Sequence, residues 1–487
     1  MSNKKILPAQ PQVQELSIAY KILAVICGGF LVGSLWRMRG DSGYGAKWGM
    51  FVVATGFVMF LFTLFPQRKK LSVAVFPFVV LLTGITAGGW GTLNTQMAGR
   101  LSSSALFAGE TAMRVAEVSP WSGLFIMLCL GFGWMPLFAF FIGCFFSEKR
   151  QTFKHLVFAG LLLVGSYYLF RATLAHPIFQ FFGQDATKLF KEGLADQGIA
   201  GSPYSVYMQH FGSDPWAKKV PFGRNYFTSV SQTAAAMSSL LVVLYMRFGM
   251  KDKRAARIAL AVNTITALSI TVADLALVGP LQTSPFYHPI FVKLFSENGN
   301  WSFWEYFTGF FIGCSVTLLV LCFSRKKLAE SDEISAMVPA MGGKPGFVYH
   351  LVFTTFAALI LTTERPLLSR LLAGMEDELY SQTTGIVLMV LSVLAGLAVL
   401  GWLIYVLRSN LIIGGLRTPF HMPDYRYFSI ALAVYFSVHN LVYGFTLAQP
   451  YATRYTEPIP ALMLISFAVV ALCHIALTRM QKKQLQK

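Results

Sequence analysis

The fold is decided by residues 226–280, which read YFTSVSQTAAAMSSLLVVLYMRFGMKDKRAARIALAVNTITALSITVADLALVGP. Two apolar stretches, at about 226–247 and 258–280, flank a short segment with five basic residues between Arg247 and Arg257. A helix needs roughly 20 apolar residues to cross the hydrocarbon core of a bilayer, which is about 30 Å thick. The segment therefore predicts two membrane-spanning helices joined by a basic loop.

The same pattern repeats along the whole chain. Apolar stretches of this kind occur at 18–36, 50–66, 71–90, 121–146, 155–173, 226–247, 258–280, 304–324, 347–363, 383–407, 427–448 and 459–478. Only loops remain between them, which leaves no room for a soluble domain of ordinary size. The sequence predicts an all-α fold, in which residues 1–487 form a single transmembrane domain with about 12 transmembrane helices.

The distribution of charge predicts which loops lie in the cytoplasm. Lys and Arg are concentrated in alternate segments, at 4–5, 68–70, 149–154, 247–257, 325–344, 408–426 and 479–487. Cytoplasmic loops of membrane proteins carry this excess of basic residues. We therefore expect an integral protein of the cell (inner) membrane, with both termini in the cytoplasm.

Composition excludes several classes of protein. Hydrophobic residues make up 55% of the 487 residues and charged residues 13%, whereas about a quarter of a soluble domain is charged. The net charge of +18 follows from the loop pattern, and no basic stripe with interleaved aromatics indicates nucleic acid. All six cysteines fall inside apolar stretches without a CxxC pair, so we expect no metal and no cofactor.

The longest outer segment covers residues 174–224. Phe179, Ala186 and Phe190 follow a helical spacing, with polar residues between them. The same stripe also includes Phe182 and Leu189. This pattern predicts an amphipathic helix in the membrane interface, which either covers the outer face or gates access to it.

The first outer loop, at 36–49, combines basic and acidic residues with closely spaced glycines. Arg37, Arg39 and Asp41 precede Gly43 and Gly45. Backbone N–H groups in glycine-rich turns and arginine side chains both bind anions. The segment therefore predicts a substrate-binding loop. The alternative is a tight turn between helices with interfacial tryptophans as anchors.

The second outer segment, at 88–100, has a similar character. Asn94, Gln96 and Arg100 follow directly after glycines at the end of an apolar stretch. Discontinuous membrane helices have such sequences where they line a cavity, which favours a role in substrate binding. The alternative is an ordinary helix end.

Three polar residues inside apolar stretches are further candidates. Asp274 lies in the outer half of the seventh stretch, where a carboxylate is costly and is functional by default. Arg171, near the outer end of the fifth stretch, lies at a comparable depth and is the candidate partner of Asp274 in proton coupling. The alternative is an ion pair with a structural role only. Gln232, in the sixth stretch, is too large to serve only as packing between helices.

These features leave three hypotheses about function. The first is a secondary transporter of a small anionic or polar solute, with or without coupling to protons. The second is a membrane transferase, polymerase or flippase for lipid-linked glycans, whose anionic substrate is bound at the outer face with Asp41 as a catalytic base or metal-binding acid. The third is a membrane scaffold or assembly partner. In each case the lipid bilayer is a partner.

Overall fold

The structure is a computed structural model. It describes residues 16–41, 104–108, 113–117, 120–147, 153–211, 214–217, 219–273, 299–323 and 458–485, together with single positions within 53–64 and 383–394.

The described residues are mostly helical. The elements are α1 Ile18–Asp41, β1 Ser104–Ala108, β2 Met113–Glu117, α2 Pro120–Trp134, α3 Pro136–Phe145, α4 Phe153–Ala172, α5 Ala175–Phe182, α6 Gln184–Asp196, α7 Pro203–Gln209, α8 Asp214–Ala217, α9 Gly223–Leu244, α10 Lys253–Ala273, α11 Gly299–Phe323 and α12 Pro458–Leu485. A π-helical turn, Tyr245–Gly249, continues α9 toward the basic loop.

Several of these helices are suited to a bilayer. Four are long and apolar enough to cross it, at Ile18–Arg37, Tyr226–Gly249, Lys253–Ala273 and Glu305–Phe323. Two bent pairs also qualify when each is taken as one span, Trp121–Trp134 with Pro136–Cys144 and Val157–Ala172 with Ala175–Phe182. The described part of the chain thus carries four to six candidate spans, in agreement with a helical membrane protein.

These candidates coincide with predicted spans 18–36, 121–146, 155–173, 226–247, 258–280 and 304–324, and α12 covers 459–478. The predicted spans 71–90, 347–363 and 427–448 lie outside the described residues, whereas 50–66 and 383–407 are described only at single positions.

One described segment departs from an all-helical chain. Strands β1 and β2 pair antiparallel, with Ser104 opposite Glu117 and Ala108 opposite Met113. The hairpin lies between the predicted third and fourth spans. Open strand edges are not tolerated in lipid, so the hairpin belongs outside the hydrocarbon core.

Glycines allow α1 and α11 to approach closely. A Cβ atom added to Gly313 would collide with the carbonyl oxygen of Gly28, and one added to Gly309 would lie 2.5 Å from that of Val32. Since Gly28 meets Gly313 while Gly33 meets Tyr306, the two helices are antiparallel. Small residues at such contacts are the usual means of packing helices in membranes.

A second set of contacts fixes the directions of α2, α3, α9 and α10. Gly131 lies against Ala267 and Gly143 against Ala255, so α10 runs antiparallel to the bent pair α2–α3. Gly133 lies against Ala235, and Gly143 also contacts Met246, so α9 and its π-helical turn run parallel to that pair.

A buried carboxylate joins these helices at the basic loop. Asp252, only 2% exposed, precedes α10, and its Oδ1 accepts a hydrogen bond of 2.9 Å from the backbone N–H of Ala255. Ser147, just after α3, donates its hydroxyl to Oδ2 of the same carboxylate. Asp252 therefore caps α10 and also ties it to the end of α3.

The helices α5 to α8 cover one end of the described bundle, the end that the sequence predicts to face outward, and we call this segment, residues 174–222, the outer cap. The apolar side chains of Ala175, Phe179, Ala186 and Phe190 are buried, and both α5 and α6 contact α9. The stripe that was predicted to face the membrane interface therefore packs largely against the protein. Phe182, which the sequence assigned to the same stripe, is 49% exposed.

We predict that Gly313→Ala lowers the free energy of unfolding by about 1–3 kcal/mol, because the new methyl group collides with the backbone of α1. Gly165→Ala is the matched control, since a Cβ atom there meets nothing within 4 Å. Thermal melting of the two variants in detergent measures the difference. Equal melting temperatures would contradict the close contact between α1 and α11.

We predict that Asp252→Ala costs about 1–2 kcal/mol of stability, because it removes the cap of α10. Asp252→Asn should cost less, since asparagine is also a good helix cap. The same melting assay compares both with the wild type. If the two variants melted together at the wild-type temperature, Asp252 would not hold this end of the bundle.

Candidate functional site

The bent pair α2–α3 is interrupted inside the bundle. The two helices meet at an angle of 56°, and Met135 between them has φ −132° and ψ 42°. Pro136 causes the break, because its ring excludes the carbonyl group of the preceding turn and it carries no N–H. Backbone groups freed by such a break need partners from the protein, a ligand or water.

The hydrogen bond between Asn263 and Ser239 lies level with this break. Gly131 is opposite Ala267, and Gly143 is opposite Ala255, so position 135 faces the turn of α10 that contains Asn263. The Asn263 side chain is 2% exposed, and its Nδ2 donates to the Ser239 hydroxyl of α9 over 2.9 Å. An amide thus lies in the interior where the helix is broken.

Two more polar side chains lie within about a turn of the break. Gln232 on α9 is fully buried, and its Oε1 would lie 3.3 Å from a Cβ atom on Gly133. Thr266, one turn beyond Asn263 on α10, is 1% exposed, and its hydroxyl has no hydrogen-bond partner among the described residues. We refer to Gln232, Ser239, Asn263 and Thr266 as the central polar layer.

Other hydroxyl groups nearby are satisfied within their own helices. Thr233 donates to the carbonyl group of Ser229, and Thr271 to that of Ala267. Serine and threonine in such arrangements pack helices without offering a donor to a ligand. The central polar layer differs from these residues in two ways. Gln232, Ser239 and Asn263 contact a neighbouring helix, and the Thr266 hydroxyl makes no hydrogen bond within the described residues.

Arg171 lies at the outer end of α4 and is held by the outer cap. Its Nε donates to the Tyr207 hydroxyl over 2.9 Å, and its guanidinium lies 4.4 Å from the centre of the Phe211 ring. Burial raises the pKa of Tyr207 to about 12, although the positive charge of Arg171 opposes this rise. The predicted partner Asp274 lies one residue beyond the described end of α10, so this pairing stays a prediction.

The segment predicted as the first outer loop begins as a helix. Helix α1 extends through Arg39 to Asp41, so the first residues of the proposed anion-binding turn are helical. Trp36 packs against Trp134 with the rings tilted and their centres 5.1 Å apart. Arg37, which follows Trp36, is half-buried beside this contact. The outer end of α1 therefore lies close to the turn of α2 that contacts Gln232.

The remaining candidates from the sequence cannot be placed in this arrangement. Asn94, Gln96 and Arg100 lie outside the described residues. For Arg39 and Asp41, only the helical backbone is described.

Sequence reasoning missed Asn263, Thr266 and Glu305. Asn263 and Thr266 are single polar residues in a helix that also contains several small hydroxyl residues, so only their neighbours distinguish them. Glu305 is 7% exposed near the start of α11. The register of Gly28 with Gly313 places it level with Trp36, the residue before Arg37. A carboxylate at the start of an apolar stretch was the signal available in the sequence.

No group of three His, Cys, Asp or Glu side chains suited to a metal ion occurs among the described residues.

Comparisons with known proteins add nothing to this geometry: no family model, no curated protein and no solved structure matches the chain.

Proposed function

We propose that this protein is a secondary transporter that binds a small polar or anionic solute at the central polar layer. The break between α2 and α3 carries this proposal. Transporters bind solutes near the middle of the membrane at discontinuous helices, where freed backbone groups and the positive end of a half-helix face the site. Here the break lies within about a turn of three buried polar side chains, Gln232, Asn263 and Thr266.

We also propose the twelve-span arrangement with both termini in the cytoplasm of a cell membrane. The helix directions support it, because α1 and α11, as first and eighth spans, must run in opposite directions. The fourth span, α2–α3, must run parallel to the sixth and antiparallel to the seventh. The glycine contacts agree with this: those of Gly28 make α1 antiparallel to α11, those of Gly131 make α2–α3 antiparallel to α10, and those of Gly133 make α2–α3 parallel to α9.

In this proposal, Arg171 and Asp274 remain the candidates for proton coupling, and Arg37 and Gln232 remain candidates for solute binding. The transferase hypothesis is the alternative, and the outer cap with Arg171 beneath it is the observation that favours it. A lipid-linked phosphate could reach an arginine at the outer end of α4.

We predict that Thr266→Val slows transport by about fivefold, because one hydrogen bond to the solute is lost. The two side chains have nearly the same shape, and a buried hydroxyl without a partner stabilises nothing, so folding should be unaffected. Thr271→Val is the control, since that hydroxyl bonds its own helix. Mass-spectrometric profiles of cells and medium, with and without the gene, follow the redistribution of unmodified solutes.

Three results would overturn the proposal. If Thr266→Val redistributed solutes at the wild-type rate, the central polar layer would not be the binding site. If Thr271→Val lost as much activity as Thr266→Val, the effect would be structural. If the cells lacking the gene instead lost a covalent glycan and accumulated its lipid-linked precursor, the transferase would replace the transporter.

The proposed topology predicts different labelling at two exposed positions, Lys188 and Lys253. A cysteine at Lys188, in the outer cap, should react with a membrane-impermeant maleimide on intact cells. One at Lys253, at the start of α10, should react only after permeabilisation. The wild type, with its cysteines in helices, gives the background. Labelling of both positions from the same side would contradict the arrangement.

A further inference from the structure

The outer cap rests on Tyr226 of α9. This side chain is fully buried. Its ring stacks on Phe190 of α6 at 4.6 Å and meets Phe179 of α5 and Tyr207 of α7 edge-on, at 5.7 Å and 6.2 Å. Three helices of the cap therefore converge on one ring, and whatever disturbs that contact loosens the whole cap.

His176 of α5 lies in the same cluster. It is 7% exposed, and the centre of its ring is 4.5 Å from that of Tyr204 and 5.8 Å from that of Tyr226. Neither its Nε2 nor the Tyr226 hydroxyl has a hydrogen-bond partner in the described part of the chain. Buried polar atoms of this kind are few in proteins, and each calls for a physical explanation.

The surroundings of His176 suit only the neutral imidazole. Tyr204 of α7 and Tyr226 of α9 are the titratable groups that face it, and the Tyr204 hydroxyl donates to the carbonyl group of Ala172 at the end of α4. Helices α2 and α6 bring phenylalanines to this part of the cap, Phe125 against Phe182 and Phe190 against Tyr226. No ion pair between His176 and a carboxylate occurs among the described residues.

A proton on His176 would therefore be destabilising in the closed cap. An imidazolium in a buried, apolar cluster loses the hydration that it has in water. The same aromatic cluster already holds one cation, because Arg171 bonds Tyr207, whose ring meets Tyr226 edge-on. Attraction of the cation to the tyrosine rings offsets only part of this cost.

We propose that His176 is a proton-binding site that releases the outer cap from α9 in acid. The cap stays closed above the ordinary imidazole pKa of about 6.5. As the pH falls below that value, the open state, in which the imidazole reaches water, binds the proton more readily than the closed state and becomes more populated. For the transporter proposed above, this makes access from outside dependent on pH. The switch itself rests only on the packing of the cap.

Hydrogen exchange of the full-length protein in lipid nanodiscs tests this inference. Exchange in peptides from 184–209 is measured at about pH 7.5 and about pH 5 and is corrected for the intrinsic effect of pH on exchange. We expect protection of the wild-type cap to fall at least tenfold at the lower pH. His176→Phe should keep its protection at both values, because it cannot be protonated.

His210→Phe is the matched control, since His210 lies in the same cap but is stacked on Trp216 at 3.7 Å and is only half-buried. It should lose protection in acid as the wild type does. A second neutral variant, His176→Gln, covers the case in which the larger phenylalanine disturbs the cap.

Equal protection of the wild-type cap at both pH values would overturn the inference, as would the same loss of protection in both His176 variants. Failure of the transporter proposal is a separate outcome, because it appears in the solute profiles and leaves the exchange data unchanged.

Discussion

A bilayer offers no hydrogen bonds to a polypeptide backbone, so every peptide group in its core must be satisfied by the protein. This constraint explains why long apolar helices dominate the described residues. It also makes the break at Pro136 the most informative feature of the bundle. The break lies level with buried amide and hydroxyl groups from α9 and α10. Helices broken at such a place are typical of transporters that bind polar solutes, and our proposal rests on this likeness.

The two ends of the described bundle are built differently. At the basic loop, Asp252 holds α3 and α10 together through short polar contacts. At the other end, the outer cap contacts α9 through aromatic rings and α4 through the hydrogen bond between Arg171 and Tyr207. Aromatic packing over a polar interior can separate without breaking a carboxylate network. In the proposed transporter, the end under the cap is therefore the more suitable one to open.

Much of the fold could be predicted from the sequence, because hydropathy and helix length depend on composition within one segment. The helices at Ile18–Asp41, Gly223–Leu244 and Gly299–Phe323 coincide with predicted spans. The partners of each helical face could not be predicted, since they depend on contacts between distant segments. For this reason, the stripe of Phe179 and Phe190, which the sequence assigned to the membrane interface, packs against α9 instead. The glycines after Arg39 suggested a turn, but the helical contacts of α1 extend the helix to Asp41.

In the candidate site, too, some residues could be identified from their own segment, and others only from contacts between distant segments. Gln232 could be singled out from the sequence because an amide of its size is unusual in an apolar stretch. Asn263 and Thr266 could not, since only the register of α10 against α2 and α9 places them at the break. The pairing of Arg171 with Asp274 rested on depth alone. In the structure, Arg171 contacts Tyr207 and Phe211. Asp274 follows the last described residue of α10, so the pairing stays a prediction.

The central claim is that water and polar solutes reach the layer around Asn263. The most direct measurement is the reactivity of Asn263→Cys toward a small, charged thiol reagent in native membranes, read by mass spectrometry of the peptide 253–273. Leu260→Cys, at a position 40% exposed on the outer surface of the same helix, is the control that faces lipid. Our account predicts modification at position 263 and none at position 260. An unreactive cysteine at position 263 would show that the layer is dry packing, and it would contradict the account.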